Sequence, residues 1–212
     1  MLNDNLNVIG GKINDHLSAK HNARERALPL ARKTIRTCAN AIRIIHRAEY
    51  NRSRELLDEA HILLQTAKEA LEGHPALLHG GFMHDAQKEY AEGRITLALV
   101  TDTKIPDPDE LDIGHAAYLN GMAEAASEMR RQLLDRIREG NFERAEKQLA
   151  AMDEIYNLLI TIDFPDALTG GLRRATDQLR GVLEKSRGDL TMALNQSKLE
   201  RKLSSFKGKL ET

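Results

Sequence analysis

The sequence has few aromatic residues, one cysteine and no long apolar run. Aromatic residues make up 4% of the 212 residues, and tryptophan is absent. This scarcity argues against a β-sandwich and against a nucleic-acid binder that stacks bases on aromatic rings. The single cysteine, Cys38, excludes an internal disulfide and fits a reducing compartment. Without a membrane-spanning run or a signal peptide, we expect a cytoplasmic protein with no membrane contact.

An excess of charge of one sign is also missing. The 31 lysines and arginines nearly balance the 32 aspartates and glutamates, which leaves a formal net charge of −1. A protein that coats nucleic acid indiscriminately is therefore not expected. Any nucleic-acid site has to come from local segregation of charge.

Apolar residues recur every three or four positions along most of the chain, which predicts an all-α fold of six or seven helices. The expected helices span about 22–50, 53–73, 81–101, 112–139, 142–161, 166–187 and 190–206. Pro29 is tolerated near the start of the first, and Ser53 is a possible cap of the second. The clearest loop is 103–109, because two prolines and several short polar residues cannot lie inside a helix.

The helices are long for a globular protein, which favours an elongated bundle that leaves surface for neighbouring subunits. No repeat of fixed period is visible, so a solenoid is not expected. We expect a single domain over residues 1–212. Residues 1–20 are polar and weakly periodic, which predicts a short helix or a loose tail.

The first long helix carries a row of basic residues. Between positions 21 and 54, nine lysines and arginines stand against two glutamates. Arginines at spacings of four, seven and four lie on one side of a helix, and a lysine lies next to them. This basic stripe consists of Arg32, Lys33, Arg36, Arg43 and Arg47. Cations in line fit a phosphate backbone with little base preference, whereas the alternative is an ordinary solvated helix face.

Two glutamate pairs lie on later helices, and the second pair lies among small and apolar residues. Glu89 and Glu92 are three residues apart, and Glu124 and Glu128 are four apart, so each pair shares one helix face. Like charges at these spacings destabilise a helix unless a cation neutralises them. Mg²⁺ or Mn²⁺ prefers such oxygen ligands, and it can polarise a phosphate and activate a water for in-line attack.

Two other interpretations of the glutamates were weighed. Most glutamate pairs at helical spacing are simply solvated, so the spacing alone does not establish a metal site. Helical bundles also hold di-iron centres, but those require a Glu-x-x-His motif. Neither pair is followed by such a histidine, so a di-iron centre is not expected.

At these two helices the sequence resembles the translin family, which comprises translin and translin-associated protein X. The resemblance extends over roughly 20–205 and is most specific in two segments, QKEYAE at 87–92 and YLNGMAEAASEMR at 118–130. It implies an all-α bundle that assembles into a hollow octameric shell and binds single-stranded RNA or DNA inside. It also suggests a prokaryotic, archaeal-like member.

The resemblance further implies the catalytic type. In the X-type subunit, acids on these helices form a Mg²⁺-dependent endoribonuclease site. Glu89 and Glu92 match the family's Glu-x-x-Glu pair, and Glu128 matches the last acid of the set. Glu124 stands where the X-type subunit has a catalytic aspartate and translin has an apolar residue, so its extra methylene alters the metal geometry. Because one chain would supply both scaffold and catalysis, a homo-octamer is expected.

The leading hypothesis is a Mg²⁺-dependent endoribonuclease that acts on single-stranded RNA. Glu89, Glu92 and Glu124 would bind the metal, and Glu128 would be a further ligand or a base that orients the attacking water. The basic stripe would hold the RNA backbone. Two alternatives stay open, a non-catalytic shell that binds single-stranded RNA or DNA, and a helical structural or adaptor protein.

Overall fold

The computed structural model describes residues 2–210, and its regular structure within that range is entirely helical. The helices are α1 (Leu2–Ile45), α2 (Tyr50–Glu69), α3 (Pro75–Leu78), α4 (Gly81–Thr101), α5 (His115–Arg138), α6 (Phe142–Ile160), α7 (Asp166–Thr169) and α8 (Leu172–Leu210). The predicted all-α fold is confirmed. The described range holds eight helices rather than six or seven. The short helices α3 and α7 were not predicted as separate elements, and the last two expected helices form the single helix α8.

The described residues divide into two compact units, one up to Gly93 and one from Arg94 onward. In the first, α1 packs along α2, and alanines recur at fully buried positions of both helices. Small residues at a helix contact let the two axes approach closely. The expectation of one domain over residues 1–212 stays a prediction. Three of these residues, Met1, Glu211 and Thr212, lie outside the described residues.

In the second unit, α8 packs against both α5 and α6. Large apolar side chains fill this core, namely Met129, Leu133, Met152, Leu159, Leu179 and Leu183. Ion pairs at the rim join the same helices. Arg130 on α5 donates to Asp189 on α8 at 2.6 Å, and Arg187 on α8 donates to both carboxylate oxygens of Asp153 on α6.

The first helix differs from its predicted form. It is continuous from Leu2 to Ile45, so residues 2–20 form neither a separate short helix nor a loose tail. Pro29 lies inside the helix rather than near its start, and it costs one backbone hydrogen bond because proline has no N–H. Ala27 and Ala31 are fully buried on either side of the exposed proline, and this packing carries the helix through it.

Two further boundaries were predicted wrongly. Ser53 does not cap α2, because the helix begins at Tyr50 and Glu49 occupies the cap position. The chain does not break at Gly188, since α8 runs through it. A glycine inside a helix costs about 1 kcal/mol relative to alanine, and the buried side chains of Ser186 and Leu190 on both sides outweigh that cost.

The predicted loop at 103–109 is confirmed and is tied to the start of α5. The phenol of Tyr118 donates to the carbonyl oxygen of Pro106 at 2.8 Å. Burial, with the charges of Asp107 and Glu110 adding to it, raises the pKa of Tyr118 to about 12. The phenol therefore stays a donor well into the alkaline range and fixes the loop to the helix that carries Glu124.

Of the helices in the described part of the chain, none combines the length and the apolar content that crossing a membrane requires.

Candidate metal centre and basic surface

Glu89 and Glu92 lie near the middle of α4, where the helix is mostly buried. Tyr90 and Ala91 between them are 2% and 0% exposed, and Glu92 itself is only 8% exposed. Next to Glu92, a Cβ added to Gly93 would come within 2.6 Å of Leu57 Cδ2 on α2. The missing side chain at Gly93 therefore lets α2 pack closely against the turn that holds the acid. A carboxylate buried to this extent requires compensation by an opposite charge or by hydrogen bonds.

Three carboxylates come together at this position. Glu89, Glu92 and Glu124 each offer an oxygen, and these three oxygens lie within 4.8 Å of one another. Oxygens bound to one Mg²⁺ at about 2.1 Å stand roughly 3–4 Å apart, which is close to this spacing. Acidic oxygens are also the donors that hard divalent cations select. The cluster could therefore hold a metal ion, and we call it the three-glutamate cluster.

Glu128 is not a member of this cluster among the described residues. It lies one turn beyond Glu124 on α5 and is half-buried. The structure thus brings together the three residues that the sequence analysis proposed as metal ligands. The catalytic roles of all four glutamates stay predictions.

A lysine that the sequence analysis did not single out borders the cluster. Lys88 Nζ lies 3.8 Å from Glu89 Oε1, and the two side chains are 22% and 25% exposed. Helical spacing also places Lys88 on the same face as Glu92, four residues further along α4. That spacing is the signal in the sequence that could have identified Lys88.

The five residues of the basic stripe do not all lie in one row along α1. Arg32, Arg36 and Arg43 are exposed along α1, whereas Arg47 is exposed in the turn that follows the end of the helix. Lys33 instead turns to α2, where its Nζ lies 2.9 Å from Glu59 Oε1. Glu59 belongs to the neighbouring helix, so the count of acids along the first helix did not include it. The roles of these residues in RNA binding stay predictions.

Apolar side chains are exposed in a row at the start of α1. Leu2, Leu6, Ile9, Ile13 and Leu17 are 44–75% exposed, and they follow one another at spacings of three or four residues. Nearly every residue from 2 to 19 is exposed. We call this row the α1 apolar stripe. The α1 apolar stripe was not predicted, although its spacing of three or four residues is visible in the sequence.

No protein-family model matches the chain. An uncharacterized protein from Methanocaldococcus jannaschii is 31% identical to it over 192 residues, which is 89% of this chain and 84% of the relative.

The fold is similar to that of solved C3PO proteins. The chain matches a crystal structure of AfC3PO with a TM-score of 0.79 and 30% identity, over 88% of this chain and 97% of that one. A complex of AfC3PO with duplex RNA matches with a TM-score of 0.80 and 29% identity, over 88% and 96% of the two chains. Apo-NeC3PO shares the fold at 19% identity, with a TM-score of 0.75 over 87% and 96%.

Mn²⁺ is expected to raise the melting temperature of the protein, because it relieves the repulsion among three carboxylates that only the folded chain brings together. An ion present at a hundred times its Kd adds about 2.7 kcal/mol to the free energy of unfolding. The measurement is calorimetry with and without Mn²⁺. Glu92→Gln should lose most of the shift, while Glu154→Gln, which changes an exposed glutamate on α6, should keep it. An equal shift in both variants would contradict the site.

Proposed function

The chain belongs to the translin family, and on that premise we propose that it is a metal-dependent endoribonuclease that acts on single-stranded RNA. The observation that carries the proposal is the three-glutamate cluster, whose acids coincide with those by which the sequence resembles the catalytic type of the family. A protein that only binds RNA has no need of three carboxylates held so close together.

In the proposed reaction, Glu89, Glu92 and Glu124 hold one or more Mg²⁺ or Mn²⁺ ions. A bound ion of this kind supplies Lewis acidity toward a phosphate oxygen and makes an attached water more acidic. Glu128, one turn from Glu124, accepts a hydrogen bond from the attacking water and orients it toward phosphorus. If water is the nucleophile, the products carry a 5′-phosphate and a 3′-hydroxyl.

The basic stripe supports RNA as the polyanion. Arg32, Arg36 and Arg43 present exposed guanidinium groups along one side of α1, which suits a phosphate backbone more than a base edge. The solved complex of AfC3PO contains duplex RNA. Phosphate contacts fit both single-stranded and duplex RNA, so the proposed preference for single strands does not depend on the basic stripe.

We further propose that the protein acts as a homo-oligomer, with eight subunits expected from the family resemblance. The α1 apolar stripe supports this, since a helical segment with almost no buried residues of its own is marginal in water. A second exposed row near the end of α8, formed by Met192, Leu199, Leu203 and Phe206, adds to the apolar surface available to other subunits. The cytoplasm is the proposed compartment and rests on the single, buried Cys38.

Glu124→Gln is expected to abolish cleavage and to leave RNA binding intact, because it removes a metal ligand and leaves the basic stripe unchanged. Labelled single-stranded and duplex RNA are incubated with Mg²⁺ or with EDTA, and the product ends are mapped. Glu154→Gln serves as the control that keeps activity. If the unmodified protein binds RNA but does not cut it in the presence of Mg²⁺, a non-catalytic shell is favoured. If it cuts duplex RNA in preference to single-stranded RNA, the single-strand assignment is overturned.

The double variant Arg36→Ala and Arg43→Ala is expected to bind RNA more weakly and with a shallower dependence on salt. Each phosphate contact to a single strand contributes about 0.7 to the slope of log K against log salt, so the slope should fall by about 1.4. Fluorescence anisotropy over a salt series gives both values. Arg26→Ala, an exposed arginine off the stripe on the same helix, should leave the slope unchanged. An unaltered slope in the double variant would remove the stripe from the RNA site.

The double variant Ile9→Glu and Ile13→Glu is expected to reduce the assembly to smaller species, because two charges would have to be buried in the subunit contact. Light scattering coupled to size exclusion gives the mass, and circular dichroism confirms that the helices are retained. Ile62→Glu is the matched control, since Ile62 is an isolated isoleucine on α2 that is 64% exposed. An unchanged mass for the double variant would exclude the α1 apolar stripe from the contact.

A further inference from the structure

Lys88 is more enclosed than three other lysines that pair with glutamates in the described part of the chain. Its side chain is 22% exposed, whereas those of Lys33, Lys104 and Lys147, which also pair with glutamates, are 51%, 75% and 74% exposed. Holding a lysine in a confined position costs side-chain entropy and part of its hydration. A surface ion pair returns little of that cost. The position therefore points to a role beyond an ordinary surface pair.

The carboxylates around Lys88 indicate what that role is. Its ammonium lies 3.8 Å from Glu89 Oε1, and helical spacing places it beside Glu92 as well. The cluster alone carries three negative charges within 4.8 Å when its carboxylates are ionised. With Lys88 the four side chains carry −2, so one ammonium lowers the negative charge at this position by a third and weakens the repulsion among the carboxylates.

We propose that Lys88 is a positioning residue that acts as the built-in counter-ion of the three-glutamate cluster. In the metal-free protein its ammonium holds Glu89 beside the other two acids and so keeps the cluster assembled. An arriving divalent ion needs the same carboxylate, and it is repelled by the neighbouring positive charge. Lys88 therefore preserves the site and lowers its metal affinity. This inference rests on the proposed function, because it takes the cluster to be a metal site.

The proposed role predicts that loss of the charge on Lys88 lowers the melting temperature of the metal-free protein but tightens Mn²⁺ binding. Lys88→Met keeps the length and apolar stem of the side chain but removes its charge. The variant should melt at a lower temperature without metal, because the repulsion among the carboxylates is then offset less. It should also bind Mn²⁺ about tenfold more tightly, the order expected for one unit charge a few Å away in a water-like dielectric. A purely structural role predicts a lower melting temperature with unchanged or weaker Mn²⁺ binding.

The experiment measures the Mn²⁺ dissociation constant by calorimetric titration and the melting temperature of the metal-free protein. Both are measured on the unmodified full chain, Lys88→Met, Lys88→Arg and Lys147→Met. Lys88→Arg keeps the charge and should return both values toward those of the unmodified protein. Lys147→Met breaks the exposed pair with Glu143 on α6 and should change neither.

The outcomes separate this inference from the proposed function. Tighter Mn²⁺ binding by Lys88→Met, reversed in Lys88→Arg, supports the counter-ion role. Binding that is unchanged or weaker in Lys88→Met overturns that role and leaves the metal site standing. If the unmodified protein binds no Mn²⁺, the metal site itself is overturned, and the role of Lys88 falls with it.

Discussion

Electrostatic repulsion among Glu89, Glu92 and Glu124 is the constraint on which the functional interpretation depends. Three carboxylate oxygens within 4.8 Å, one of them on a side chain that is 8% exposed, are unfavourable when ionised unless positive charge lies close by. A divalent cation with oxygen ligands satisfies that requirement most completely, and Lys88 satisfies part of it within the chain. The proposed catalysis, the metal dependence of stability and the role of the lysine all follow from this one repulsion.

The fold holds the acids in place through apolar packing around them. On α4, buried residues surround both glutamates, and the absence of a side chain at Gly93 allows Leu57 of α2 to come close. The hydrogen bond from the Tyr118 phenol to the carbonyl oxygen of Pro106 ties the first turn of α5 to the loop before it. Ion pairs such as Arg130 with Asp189 then hold α5 to α8. Rigid helices of this kind position side chains more closely than loops do.

Helical periodicity was enough to predict the fold class and the central helices that carry the acids, and two prolines were enough to predict the loop at 103–109. The periodicity was also enough to place each glutamate pair on one face, because a pair on one helix is a local property. It failed where packing outweighs local preference. Pro29 and Gly188 are helix breakers by composition, yet buried neighbours carry α1 and α8 through them.

Contacts between different helices were beyond the reach of the sequence pattern. The sequence does not show that Glu59 of α2 pairs with Lys33 of the basic stripe, or that Glu124 joins the cluster while Glu128 does not. Spacing and the surrounding apolar residues were enough to select Glu124 as a candidate, but spacing alone cannot bring acids of two helices together. Lys88 was not among the predicted site residues, although its spacing to Glu92 is visible in the sequence.

The most direct test of the account is anomalous diffraction from crystals of the protein grown with Mn²⁺. The account predicts a manganese peak bounded by carboxylate oxygens of Glu89, Glu92 and Glu124, each at roughly 2.2 Å. A map without a peak at this position, with the three side chains turned away from one another, would contradict it.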